Sequence, residues 1–189
     1  VMGKPCMILE QEARIKFEGG WLRQLTSSDV HSTYVDGLND LEVNKYLVGV
    51  RQNTQTFEGV TAFVRGDLNS TDSILFGVWF GDMKRHCGTV RIHGIEGVHK
   101  TALIGICLFD KSVWGNKIGV KSLTVVTQWV FKTLKLRWIE AGIYAGNIAS
   151  EKAFLSAGYE WIYEIPDKYL FEGNPAKVKV FASRNFEIK

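Results

Sequence analysis

The chain has 189 residues, 23 basic against 20 acidic, a net charge of +3 and 46% hydrophobic content. That length and apolar share suit one globular domain with a sizeable core. The scattered basic residues do not form a nucleic-acid surface, no apolar run nears the roughly 20 residues of a membrane span, and VMGKPCMILE lacks the apolar centre of a signal peptide. Met2 and Gly3 start an N-myristoylation pattern that Met7 breaks. Cys6, Cys87 and Cys107 are odd in number and far apart, which argues for a reducing, cytoplasmic setting and against a disulfide framework or a metal site.

Residues 15–25 read as two strand pieces around Gly19 and Gly20. Thr26, Ser27, Ser28 and Asp29 are N-cap candidates for a helix carrying His31, Tyr34, Val35 and Leu38. Residues 41–47 suggest a second short helix with Leu41, Tyr46 and Leu47 inward. Phe57, Val60, Phe63 and Val64 have helical spacing for a third, over 54–68. The period then changes. Residues 74–80 form an apolar, β-rich run, Gly81 and Asp82 a turn, and 86–95 and 101–109 two more strands, giving an antiparallel meander.

The stretch TALIGICLFDKSVWGNKIGVKSL, residues 101–123, is a strand, a turn with Gly115 and Gly119, and a helix start. The first amides of a helix lack partners within it, and the helix dipole is positive there. Bare glycine backbone and the charges of Lys117 and Lys121 make this a phosphate cradle by expectation. The helix continues to about 134, with Ile118, Leu123, Val126, Val130 and Leu134 inward. Residues 138–144 form the next strand, so a right-handed crossover makes it parallel to 101–109. Asn147 and its neighbours cap a helix over 150–157 stopped by Gly158. Residues 159–165 and 178–182 are strands joined by a loop or short hairpin through Pro166, Gly173 and Pro175. The sum is a single α+β domain, 1–189 with its core at about 15–184. Its mixed sheet has about seven strands, antiparallel in its first half with one parallel crossover, and four or five flanking helices.

At this point the chain resembles the GNAT superfamily of acetyl-CoA-dependent N-acetyltransferases, and within it the ribosomal-protein-alanine acetyltransferase-like branch. Three runs carry the resemblance: IGICLFDKSVWGNKIGVKSL, similar to the pyrophosphate motif; NIASEKAFLSAGY, similar to N-x-x-S-x(7)-G-F; and LNDLEVNKYL near the N-terminus. Lys117 stands where that motif usually has a glycine, and Trp114 where it usually has Gln or Arg. The resemblance implies an acetyl-CoA site over 101–158, built from Leu108, Phe109, Trp114, Gly115, Asn116, Lys117, Ile118, Gly119, Val120, Asn147 and Phe154. It implies an acceptor wall over 27–68, with Tyr34, Tyr46, Arg51 and, from the sheet, Arg91.

The chemistry so implied is direct acetyl transfer to an amine. Phe154 replaces the tyrosine that in many relatives protonates the departing thiolate, and Ser150 is the substitute the branch suggests. A backbone N–H near Leu108 would face the thioester carbonyl. For the base, His93 comes first and Glu96 next, with Glu140 another group able to hold a water. The partners implied are acetyl-CoA and a primary amine, on an amino sugar, a nucleotide-linked amino sugar or a protein N-terminus. A homodimer is compatible, and neither nucleic acid, membrane nor metal is expected. The competing reading is a domain of this fold that binds partners without catalysis.

Overall fold

The computed structural model describes residues 13–81 and 85–188; the expectations on Met2, Gly3, Cys6 and Asp82 fall outside them. The elements are β1 (Ile15–Phe17), β2 (Gly20–Gln24), α1 (Ser32–Asn39), α2 (Val48–Arg51), α3 (Phe57–Leu68), β3 (Ile74–Phe80), β4 (Arg85–Glu96), β5 (Thr101–Cys107), α4 (Ile118–Trp129), β6 (Trp138–Tyr144), α5 (Ile148–Ser156), β7 (Glu160–Phe171) and β8 (Asn174–Arg184). The eight described strands form one sheet in the order β1-β2-β3-β4-β5-β6-β8-β7. Every neighbouring pair is antiparallel except β5 with β6. The mixed sheet with one parallel crossover is the expected one, with one strand more than the sequence suggested.

Strand alternation divides the sheet's apolar residues between two cores. Ile74, Phe76, Val90, Ile92, Ile104 and Ile139 pack with Leu123, Val126 and Val130 of the crossover segment and Phe154 of α5. On the other face Leu75, Trp79 and Phe109 pack with Tyr34, Val35, Leu38, Val60 and Val64 from α1 and α3. The crossover helix ends in a π-helical turn over Val130–Leu134.

Three local expectations need correction, and the third expected helix forms as α3. Asp29 accepts from the backbone of Thr26 at 2.8 Å, but this caps a short 3₁₀ turn; α1 starts later, with His31 as its N-cap. Residues 41–47 are turns rather than a helix, and Leu41 is 70% exposed. The cause is polar competition: Asp40 Oδ1 accepts from the amides of Glu42 and Val43, and the Asn44 side chain donates to Leu38 C=O at 2.9 Å. On α3 only Val60, Val64 and Asp67 are buried; Phe57 and Phe63 are about half exposed. Finally, β7 and β8 form a long hairpin instead of two short strands. Its tip, Glu172 and Gly173, has positive φ at both positions, the geometry of a two-residue turn matched to strand twist. Pro166 fits because β7 is the sheet edge and its pairing is interrupted between Ile165 and Tyr169.

One buried polar pair ties α4 to the end of α5. The Thr127 and Tyr159 hydroxyls lie 2.6 Å apart in the core, and burial raises the Tyr159 pKa. Thr127→Val would strand the phenol. It is expected to cost about 1–3 kcal/mol, seen as a lower urea midpoint at unchanged slope, while Thr127→Ser costs less.

Candidate active site

The turn between β5 and α4 reverses the chain through two left-handed residues, Gly115 at φ +79° and Lys117 at φ +59°. A left-handed lysine explains why a glycine suits this position: the backbone has kept the glycine conformation and carries a side chain regardless. The first helical bond runs from Lys121 N–H to Lys117 C=O at 3.0 Å, leaving the amides of Ile118, Gly119 and Val120 at the helix start. A Cβ at Gly119 would sit 3.6 Å from Ile106 and 3.7 Å from Leu108, ordinary contact distances. Neither positive φ nor a protein neighbour therefore demands glycine there, whereas a ligand approaching the backbone would. Lys121 is paired with Glu18 at 2.8 Å. Lys117 makes no ion pair among the described residues.

Leu108 and Phe109, just after β5, are held from several sides. The Trp114 indole donates to Leu108 C=O at 2.9 Å. A Cβ on Gly88 would lie 2.7 Å from the Cys107 carbonyl oxygen, so β4 needs glycine for that approach. The Phe109 ring stacks on Tyr34 at 4.7 Å and meets the edge of His86 at 4.9 Å.

Behind this peptide the sheet opens. Thr101, Ala102 and Leu103 pair with Trp138, Ile139 and Glu140; beyond them β5 and β6 no longer pair. Instead, β5 stays on β4 to Cys107, and β6 stays on β8 to Tyr144. The result is a split with the α4 N-terminus near its open end. Two residues past the last paired rung, both strands carry glycine, Gly105 and Gly142. A Cβ at Gly105 would meet nothing within 4 Å, so the α1–α3 face of the split is bare there.

The acceptor-side candidates divide. His93 lies on the rung His93–Leu103–Glu140, at the apex. Burial, then Arg91, pushes its pKa below the usual histidine value, so it is neutral at pH 7. Arg91 shares that face but is engaged, its Nε on Asp67 Oδ2 at 2.6 Å with Phe63 over the guanidinium. Glu96 is at the closed end, where its carboxylate accepts from the amides of Val98 and His99 at 2.9 and 2.5 Å. Tyr34 is 3% exposed, inside the second core rather than on an open wall. Phe154 is 2% exposed, its ring edge-on to Tyr159. Tyr46 stacks on Phe171 at 5.2 Å and donates to Gly146 C=O at 3.1 Å. Arg51 pairs with Glu172 at 3.2 Å, on a cleft of about 430 Å³ between α2 and the β7–β8 tip. On α5, Asn147 is the cap, accepting from Ser150 N–H at 3.3 Å, so Ser150 does not serve as the cap.

Sequence reasoning missed the Trp114 tie and a buried histidine pair. Tyr34 N–H donates to His31 Nδ1 at 3.3 Å, so His31 carries its proton on Nε2 and donates to His86 Nδ1 at 3.2 Å; His86 Nε2–H then donates to Gly88 C=O at 3.0 Å. Nothing local could reveal a pair 55 residues apart. Among the described residues no cluster of His, Cys, Asp and Glu could hold a metal ion, and no helix is long and apolar enough to cross a membrane.

The acetyltransferase (GNAT) domain family matches residues 21–160. A curated Bacillus subtilis (strain 168) protein, "Probable N-acetyltransferase YjcK", is 33% identical over 93 residues, 49% of this chain and 51% of that protein. The match thus spans about half the length of that relative. Solved structures share the fold at lower identity. A GNAT-family acetyltransferase from Bacillus anthracis superposes with a TM-score of 0.79 at 19% identity, covering 91% of this chain and 98% of the other. The ribosomal-protein-S5-alanine acetyltransferase of Vibrio fischeri gives 0.77 at 20%, covering 94% and 100%. Vibrio cholerae spermidine N-acetyltransferase, solved with CoA and spermine, gives 0.78 at 15%, covering 89% and 96%.

The histidine pair makes stability acid-sensitive. Burial, then His31, pushes His86 down to about 4, with Asp29 opposing and Arg23 adding to the shift. Its folded pKa lies below its unfolded value, so the unfolded chain binds more protons in between. The contribution is complete above about pH 6.5 and is lost as pH falls toward 4, by roughly 3 kcal/mol. Urea unfolding from pH 7.5 to 4.5 is expected to show that loss, and His86→Gln to flatten it.

Proposed function

The chain belongs to the GNAT acetyltransferase family, and on that premise we propose that it moves the acetyl group of acetyl-CoA directly onto a primary amine. The observation that carries this reading is the left-handed turn at Gly115 and Lys117, which sets the α4 amides near the open end of the β5–β6 split. The fit to the coenzyme rests on Gly119, a bare position with no other evident reason to be glycine. Acetyl-CoA supplies an activated thioester. The Ile118, Gly119 and Val120 amides bind its diphosphate, with the Lys117 charge beside them. Trp114, Gly115 and Asn116 shape the turn ahead of the helix start, and Asn147 caps α5 after the other strand of the split. The Leu108 and Phe109 backbone, tied by Trp114 and packed on Gly88, supplies the donor for the carbonyl oxygen. Ser150 is the group for the departing thiolate, which at an intrinsic pKa near 8.5 needs little help.

The acceptor enters from the α1–α3 face, over Gly105. Tyr46 and Arg51 line that side through their contacts with the β7–β8 hairpin. Its groups suit an amino sugar or a peptide N-terminus, either of which can stack on the aromatic rings and hydrogen-bond the wall. A non-catalytic binding domain is the competing outcome of the tests.

Acetyl-CoA at 100 times its Kd is expected to stabilise the fold by about 2.7 kcal/mol in thermal unfolding. No shift at millimolar acetyl-CoA would favour the binding domain. Lys117→Glu is expected to weaken acetyl-CoA roughly tenfold or more by reversing the charge beside the diphosphate, whereas Lys117→Gly keeps the turn and much of the affinity. Free-thiol release with amino sugars and N-terminal peptides then identifies the acceptor.

A further inference from the structure

An amine that is protonated at pH 7 must lose a proton before or as it attacks, so a group on the acceptor face has to receive it. Glu96, the carboxylate the sequence favoured, has both oxygens on loop amides at the closed end of the split. Glu140 is differently placed. It is the last residue of β6 that pairs with β5, on the rung His93–Leu103–Glu140. Ile139, Ala141 and Ile143 turn into the main core, so the two-residue period puts Glu140 on the opposite, acceptor-side face. The next position on that face of β6 is Gly142, so β6 itself puts no side chain beyond the carboxylate, and Val178 of β8 comes within 3.3 Å of where a Cβ there would sit. The Trp138 indole donates to Glu140 Oε2 at 3.3 Å and steadies the carboxylate.

We propose that Glu140 is the proton acceptor of the transfer, receiving the amine's proton at the apex of the split. This rests on the acetyltransferase reading above. In the step, the Glu140 carboxylate takes one N–H proton, directly or through a water. The amine nitrogen forms a bond to the thioester carbonyl carbon, and the carbon–sulfur bond breaks with its electron pair leaving on sulfur as the CoA thiolate. The second ammonium proton ends on that thiolate, so an N-acetyl amide and free CoA thiol are the products. The carboxylate charge also attracts the incoming ammonium. The charged and titratable groups on this face around Glu140 are His93 and Arg91 from β4, the latter held by Asp67 of α3, Tyr144 further along β6, Arg184 from β8, which lies over Trp138, and Glu160 from β7, itself paired with Arg184. His93, neutral at pH 7, serves as a hydrogen-bond partner to the acceptor.

The test uses the full chain with acetyl-CoA and either glucosamine or a peptide with N-terminal alanine, whichever the wild type turns over, read as thiol release. Glu140→Gln is expected to lower kcat about 100-fold and to leave the thermal shift with acetyl-CoA unchanged. Glu140→Asp, which keeps a carboxylate, is expected to stay within about tenfold of wild-type kcat, and it decides the matter if the glutamine variant does not fold. A Glu140→Gln enzyme within threefold of wild-type kcat overturns this assignment alone; so does a folded Glu140→Asp enzyme that has lost kcat about 100-fold. A wild type that releases no thiol with any amine overturns both this assignment and the reading it rests on.

Discussion

The structure depends on a divided loyalty between two parallel strands. β5 and β6 are joined by the α4 crossover and pair at Thr101 to Leu103, yet each is more fully committed to its antiparallel neighbour. Asp110 N–H on Cys87 C=O holds the end of β5 against the start of β4, and Ala145 N–H on Lys177 C=O holds the end of β6 against β8. Strand twist turns these commitments into divergence. The gap exposes backbone edges inside a sheet, which is costly unless something else pairs with them. An extended ligand carrying amide groups would meet that need.

The α4 N-terminus gives the gap its polarity. Helix amides and dipole favour an anion at the open end, and the protein keeps two left-handed residues to aim them there. A left-handed lysine carries a conformational cost of about 1–2 kcal/mol relative to glycine, and the fold bears it at Lys117. The same residue adds a full charge that no acid among the described residues neutralises. Conformation and charge thus act in opposite directions: the left-handed backbone costs stability, while the added charge favours an anion at the helix start.

Much of this was legible in the chain because it is local. The apolar, β-rich run of 74–80, the glycine turn, and the capping role of Asn147 all follow from neighbours a few positions apart. What escaped depends on partners far away. Asp40 and Asn44 unravel the expected second helix through their own side-chain bonds, and Leu41 ends in solvent. Tyr34 belongs to the second core because Phe109, Thr89 and His86 meet it there. Glu96 is claimed by its own loop, and the significance of Glu140 appears only once register sets it beside Leu103. Resemblance pointed to the turn with Gly115 and Gly119, but it could not say that Lys117 would keep a glycine's backbone.

The most direct measurement is a crystal structure grown with the coenzyme. The expected density has the diphosphate on the amides of Ile118, Gly119 and Val120 and the pantetheine arm threaded between β5 and β6. A coenzyme bound elsewhere, or a turn closed over by the Lys117 side chain with the split empty, would contradict the central claim.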